Sequence, residues 1–385
     1  MVWGVGKHLK MGSIEMIKYE EFLQEKDVKY VESGFDLAEE NIHPQLYDFQ
    51  RDIVKWALRK GKAAIFLDCG LGKTIIQLEW ARHCYNVTLS PILIFAPLAV
   101  AYQTQKEGLK IDLDANVARS MEDIKPGINI TNYEMMHKFN LADFGGIVLD
   151  ESSILKNFSG IYRNELIDKC INVPYKLCCT ATPAPNDYME LGNHSEFLNV
   201  LTYNEMLSMF FIHDSGDTSK WRLKGHAESE YWRWMSQWAI LMRNPADFGY
   251  TDHDFDLPKL KYLEHVIDSD ETPDGMLFPM EAQTLQERRS ARRATINDRS
   301  DFMAEQINQS EDQWLVWCNL NDESAYLTNI LNGAVEVKGG DTIEHKESSM
   351  MDFTEGKIKV LVTKPKIAGF GMNWQNCHNM AFVGL

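Results

Sequence analysis

The chain has 385 residues, 44% of them hydrophobic and 25% charged, which is enough for two or three domains that each bury a core and excludes disordered or collagen-like classes. Its formal net charge of −17 excludes a generally basic nucleic-acid coat, because backbone phosphates are bound by Lys and Arg; any such contact has to be confined to a local track. Seven cysteines without a CxxC pair or a His/Cys grouping at metal spacing read as reduced, mostly buried thiols. The longest apolar run, around residues 91–102, is too short to cross a bilayer, and no basic-then-apolar leader opens the chain, so a cytoplasmic protein with no membrane contact is expected.

Residues 1–40 read as an N-terminal extension: those before Met11, an alternative start, are unlike the start of a folded element, and Ser13 to Asn41 suits short helices and turns. His43 to Leu58 places Leu46, Phe49, Ile53, Trp56 and Ala57 at helical spacing, with Gln50 on the polar face. A glutamine there is a solvated side chain, or an amide whose donor and acceptor read an adenine edge. Next comes the central stretch, Ala63 to Thr74, AAIFLDCGLGKT: a short apolar strand, a loop with Gly70, Leu71 and Gly72, then Lys73 and Thr74 opening a helix. Glycines allow the tight turn that aims peptide N–H groups at phosphate oxygens. Lys73 then neutralises β/γ charge and the Thr74 hydroxyl faces Mg²⁺. The full phosphate-loop expression asks for glycine where Leu67 stands, and an ordinary strand-to-helix glycine turn fits the same letters.

Further apolar strands follow at Ile92 to Ala96, Ile128 to Glu134, Gly146 to Leu149 and Tyr175 to Pro183, alternating with helical stretches, which predicts a parallel α/β sheet with crossover helices. The Gly146 strand ends in Asp150 and Glu151. Such a pair at a strand's carboxyl end can hold Mg²⁺ through Asp150 and activate an attacking water through Glu151, or it can simply favour a helix N-terminus. Thr180 and Thr182, in TATP, can bridge the acidic pair to a neighbouring surface or cap the next helix.

The order of these segments, FQRDIVKWA, DCGLGKT, ILIFAP, TNYE, DESSILKN and TATPAPND, resembles the first motor lobe of superfamily 2 helicases, and within them the Swi/Snf-type translocases of the compact bacteriophage-encoded kind. The resemblance implies two RecA-like lobes of the P-loop NTPase class. It also implies Gln50 at adenine, GKT as motif I, Asp150 and Glu151 as motif II, and TATP as motif III coupling nucleotide to nucleic acid. Ser152 and Ser153 depart from the commoner DEAD or DEAH.

Residues 196–260 are expected to form a helical protrusion and passage, since Tyr231, Trp234, Met235, Trp238, Leu241 and Met242 recur at helical spacing; those aromatics suit a helix core better than base stacking. Between Glu281 and Asp301, Arg289, Arg292 and Arg293 share a helix face with Arg288 beside them, either touching phosphate or salt-bridged to flanking acids. A second αβ pattern begins at Trp314 and reaches Thr363 to Trp374. There the resemblance implies motif V, with Thr363, Gly369, Gly371 and Asn373 lining the interlobe cleft. Without it the run is a glycine-containing strand-to-helix turn. No arginine follows Arg299, so the resemblance implies a second lobe that stops before motif VI and its arginine finger, and feeble hydrolysis by this chain alone.

The expectation is therefore lobe one at 41–195, the protrusion at 196–260 and a truncated lobe two at 261–385, using ATP and Mg²⁺ to move along DNA, most naturally duplex DNA. Its rivals are a fragment that binds ATP and DNA without turnover, and a small-molecule phosphotransferase.

Overall fold

The computed structural model describes residues 30–97, 100–157, 160–214, 217–251, 255, 258–267, 284–369 and 371–384. Most of the expected N-terminal extension, residues 1–29, lies outside them, as does part of the passage before lobe two.

The first lobe begins with helix α1 (Asp48–Lys60), strand β1 (Lys62–Leu67), helix α2 (Lys73–Thr88) and β2 (Ile92–Ala96). Helix α3 (Ala101–Gly108), β3 (Asn116–Val117), β4 (Ile128–Asn132), β5 (Gly146–Asp150), helix α4 (Ile161–Lys169) and β6 (Tyr175–Thr180) follow. The strands are near-continuous apolar runs because a parallel sheet is covered on both faces. Alternate residues sort to opposite sides with period two. Ala64, Phe66, Leu93, Phe95, Ile147 and Leu149 pack in one buried cluster. Ala63, Ile65, Ile92, Ile94, Val148 and Leu177 pack in the other, with Phe49 and Ile53 of α1 and Leu78 and Trp80 of α2.

The middle segment differs from the helical expectation. Helix α5 (Leu191–Phe197) and α6 (Tyr203–Phe210) lead to an antiparallel hairpin, β7 (Phe211–Asp214) with β8 (Asp217–Leu223), before helix α7 (Glu228–Trp238). Helix α7 buries Tyr231, Trp234, Met235 and Trp238 as a helix core, as the spacing predicts. Leu241 and Met242 leave the helical pattern: residues Ala239–Met242 form β9, which pairs in parallel with β1. Strand β1 would otherwise present an open row of backbone donors and acceptors on that side, and β9 satisfies them. The first sheet thus runs β3-β4-β2-β5-β6-β1-β9 and draws its last strand from the segment read as protrusion.

After helix α8 (Leu285–Ala294) and α9 (Ile296–Asn308), a second parallel sheet assembles from β10 (Trp314–Trp317), β11 (Ala334–Val337), β12 (Val360–Thr363) and β13 (Asn379–Phe382), in the order β11-β12-β10-β13. Helices α10 (Asn321–Ile330) and α11 (Ile343–Thr354) cover it, with Leu327 on one face and Met350 and Phe353 on the other. The architecture is the expected pair of RecA-like α/β lobes. Among the described residues no helix is long and apolar enough to cross a membrane.

Where the lobes meet, the segment after β12 lies against the carboxyl end of β2. The Asn373 amide donates to Gln103 Oε1 at 3.1 Å, and Met372 packs in both lobes' cores. Lys106 pairs with Glu355, and Arg119 with Glu344 and Glu347, across the same junction.

Candidate phosphate and carboxylate site

Strands β5, β6 and β1 are neighbours in the sheet, so their carboxyl ends fall side by side, where open α/β sheets place their ligand crevices. This brings together the loop after β1, the acidic pair after β5 and the threonines after β6.

The loop is shaped by two left-handed glycines, Gly70 at φ +84° and Gly72 at φ +75°, the second capping α2. A Cβ on Gly72 would stand 2.3 Å from Gln50 Nε2, so an alanine there would push that amide aside as well as strain the backbone at its positive φ. Gln50 is buried rather than on a wet polar face. Its Oε1 accepts from the Tyr47 amide at 3.1 Å and its Nε2 donates to Leu71 O at 3.1 Å, tying α1 to the loop. A primary amide keeps one further N–H and one lone pair beyond these two bonds. Lys73, in the first turn of α2, donates from Nζ to Leu67 O at 2.9 Å and Asp68 O at 3.1 Å. Both partners are uncharged carbonyls, so a phosphate oxygen can compete for the ammonium on favourable terms. Thr74 follows on the same turn, half-buried.

Asp150 ends β5 with 8% of its surface exposed. Burial, and then the neighbouring Glu151 charge, push its carboxyl up to about 6, while Gln77 and Lys73 pull towards the anion. Gln77 lies one turn beyond Lys73 on α2. It is fully buried, with its amide turned to the Asp150 carboxyl. A buried carboxyl raised in this way, beside an ammonium and a second carboxylate, is a candidate functional group. The Tyr133 hydroxyl donates to the Asp150 carbonyl at 2.7 Å and holds the strand end from below.

Glu151 adopts the left-handed backbone, φ 57° and ψ 53°, unusual for a residue with a side chain and found where surrounding structure enforces it. Its Oε1 accepts from Thr180 Oγ1 at 2.8 Å and from Ser153 Oγ at 3.0 Å. Thr180 Oγ1 in turn accepts from the Thr182 amide at 3.0 Å. Ser152 contacts His194 Nε2 at 3.1 Å, and burial drives that imidazole down to about 4, so it stays neutral. A cavity of about 260 Å³, walled by Phe66, Asp68, Thr182, Tyr188, Trp232 and Arg243, places the TATP turn beside the start of the loop.

Among the described residues no group of three His, Cys, Asp or Glu is placed to hold a metal ion. What the chain offers is hard oxygen, the Thr74 hydroxyl and the Asp150 carboxylate. This set suits Mg²⁺, which takes one or two protein oxygens and completes its shell with water and phosphate.

The second-lobe residues are used differently. Thr363, fully buried, donates its hydroxyl to Val337 O at 2.8 Å, which binds β12 to β11. Gly369 closes helix α12 (Pro365–Ala368), where a Cβ would meet Pro365 O at 2.3 Å. Gly371, at φ +73°, abuts Val100, and Asn373 engages Gln103 through its backbone. Gly371 and Asn373 therefore reach the junction with the first lobe, while the Thr363 hydroxyl serves the sheet. The residues that sequence reading passed over are Gln77, Tyr133, His194 and Gln103. Only Gln77 carried a signal, its i+4 spacing from Lys73.

A left-handed glycine loop, an ammonium on neutral carbonyls and a carboxylate pair on one sheet edge, in a chain with a second parallel sheet, define a two-lobed P-loop α/β protein. No family model matches the sequence and no curated protein is significantly similar to it. Among solved structures it is similar to the SWI2/SNF2 ATPase core of Sulfolobus solfataricus in complex with double-stranded DNA, at 18% identity and TM-score 0.48 over 92% of this chain and 84% of that one. The same Sulfolobus core domain without DNA gives 16% identity and TM-score 0.46 over 92% and 90%. UvsW of bacteriophage T4 gives 13% identity and TM-score 0.38 over 97% and 72%. The residues of this chain, not the likeness, carry its chemistry.

Proposed function

We propose that this protein is a cytoplasmic nucleic-acid motor that hydrolyses ATP with Mg²⁺ and moves along duplex DNA. One observation carries the reading: Glu151 is hydrogen-bonded to Thr180 of TATP while its neighbour Asp150 stands within the field of Lys73, so the carboxylate suited to orient water is tied to the turn suited to sense a second ligand.

In this reading the loop amides and Lys73 hold the β- and γ-phosphates, and Gln50 reads the adenine edge with its remaining N–H and lone pair. Thr74 and Asp150 hold the cation, which supplies charge neutralisation of the transferred phosphoryl group. Glu151 orients the attacking water and accepts its proton. Closure of the second lobe on the first, through the Gly371–Asn373 contact with α3, converts the nucleotide state into a step along DNA. In this reading Thr182, Gly369 and Asn373 take part in that coupling.

The test is phosphate release from ATP by the 385-residue chain with and without duplex DNA, beside Lys73→Ala. Turnover that duplex DNA accelerates and Lys73→Ala abolishes is the expected result. ATP binding without turnover under both conditions would turn the reading into that of a nucleotide-gated DNA binder. Transfer of phosphate to a small molecule, indifferent to DNA, would overturn it.

A further inference from the structure

Helix α8 stands out in an acidic chain. All ten of its residues, Leu285–Ala294, are exposed, none belongs to a buried cluster, and it carries four arginines against one glutamate. A helix that is polar all round has no packing reason to exist where it does. Arg289, Arg292 and Arg293 lie at i, i+3 and i+4, on one face, and enter no ion pair with a carboxylate among the described residues.

The helix is also anchored in place. Arg299, one turn into α9, donates from its NH2 nitrogen to Arg292 O at 3.1 Å and to Glu323 Oε1 at 2.8 Å, and from Nε to Val383 O at 2.8 Å. Val383 directly follows β13, and its amide donates to Trp317 O at the end of β10. Arg299 thus pins the end of α8 to the carboxyl edge of the second sheet. This is the edge from which the Thr363–Asn373 segment runs to the junction with the first lobe.

We infer that the Arg289/Arg292/Arg293 face is a docking surface for the sugar-phosphate backbone of duplex DNA, fixed to the second lobe so that it moves with it. The inference rests on the motor reading above and adds where the second lobe grips. The three guanidiniums span five residues, four steps or about 6 Å of helix axis, comparable to about two phosphate steps of 3.4 Å along one strand. Planar guanidinium forks suit phosphate oxygens, and contacts to phosphate carry no sequence information. With a net charge of −17 on the chain, such a local patch is where a polyanion can approach.

The experiment measures equilibrium binding of the full chain to a fluorescent mixed-sequence duplex between about 50 and 200 mM salt. It compares the wild type, the triple variant R289Q/R292Q/R293Q and the triple variant R289K/R292K/R293K. Each phosphate contact contributes about 0.9 to the slope of log K against log salt, so the Gln variant should lose about 2 to 3 from the slope, while the Lys variant keeps it. DNA-independent phosphate release should be unchanged in both. Glutamine preserves helix propensity, and no buried contact is touched. A Gln variant with wild-type slope overturns the inference and leaves the motor reading standing. A wild type that does not bind duplex at all overturns both. Equal loss in the Gln and Lys variants would point to shape rather than charge, and also overturns it.

Discussion

Two sheet edges of the same construction do different things in this molecule. On the first, the polar groups that matter are left with weak partners: Lys73 rests on two carbonyls, Gln77 is buried beside the Asp150 carboxyl, and burial pushes that carboxyl up to about 6. On the second, the equivalent positions are consumed by the fold: Thr363 bonds Val337, and Arg299 is pinned between Glu323 and the chain after β13. The contrast separates chemistry from transmission. Under the proposed function, the first edge keeps bonding capacity for the nucleotide, whereas the second serves as a stiff part that passes position across the junction.

The sharpest way to probe that contrast is Asp150→Asn. Because the folded carboxyl titrates at about 6 instead of the ordinary 3.8, its contribution to stability is fully present below the unfolded value and is lost as pH rises through 6. Above that, the buried anion costs up to about 3 kcal/mol at about 1.36 kcal/mol per unit. Thermal melts without nucleotide should therefore show the Asn variant more stable at pH 7.5, with the advantage shrinking towards pH 4, while Mg²⁺-dependent phosphate release is lost. A destabilised variant at pH 7.5 would mean that the carboxylate is structural. Wild-type turnover should rise as pH passes through 6, and the limb should move to lower pH with added Mg²⁺, since a cation favours the carboxylate.

Thr363→Val tests the opposite pole. Removing a buried donor from Val337 O should cost about 1–2 kcal/mol in denaturant unfolding and leave DNA-independent turnover per folded molecule unchanged. A large fall in that turnover at full stability would place Thr363 in the chemistry after all. The smallest expected effect is Gly371→Ala. Its positive φ and the 2.7 Å approach to Val100 Cγ2 should cost about 1 kcal/mol and weaken stimulation by duplex DNA more than basal phosphate release.

The first edge was largely legible because its information is local. Strands β1, β2, β5 and β6 are apolar runs, and Lys73, Asp150, Glu151 and Thr180 sit at their ends, so strand and site residue are read in one window. Gln50 was legible in identity but not in environment: its burial depends on the loop of residues 68–72 folding back onto α1. Strand β9 was hidden because Leu241 and Met242 continue the helical spacing of α7, and only the open side of β1 pulls them into the sheet. Gln103 and His194 gave no signal at all, since their roles arise from partners 270 and 42 residues away. The fate of the Thr363 hydroxyl likewise depended on β11 lying alongside β12.

The central claim is that Glu151, held by Thr180 and Ser153 in a left-handed backbone, orients the water that attacks the terminal phosphate. Its most direct test is Glu151→Gln, with ATP affinity and phosphate release measured on the same preparation in Mg²⁺. The account predicts affinity within a few-fold of wild type, and turnover lower by about 10²–10⁴, the range supplied by a positioned general base. Turnover within a few-fold of wild type at unchanged affinity would contradict it.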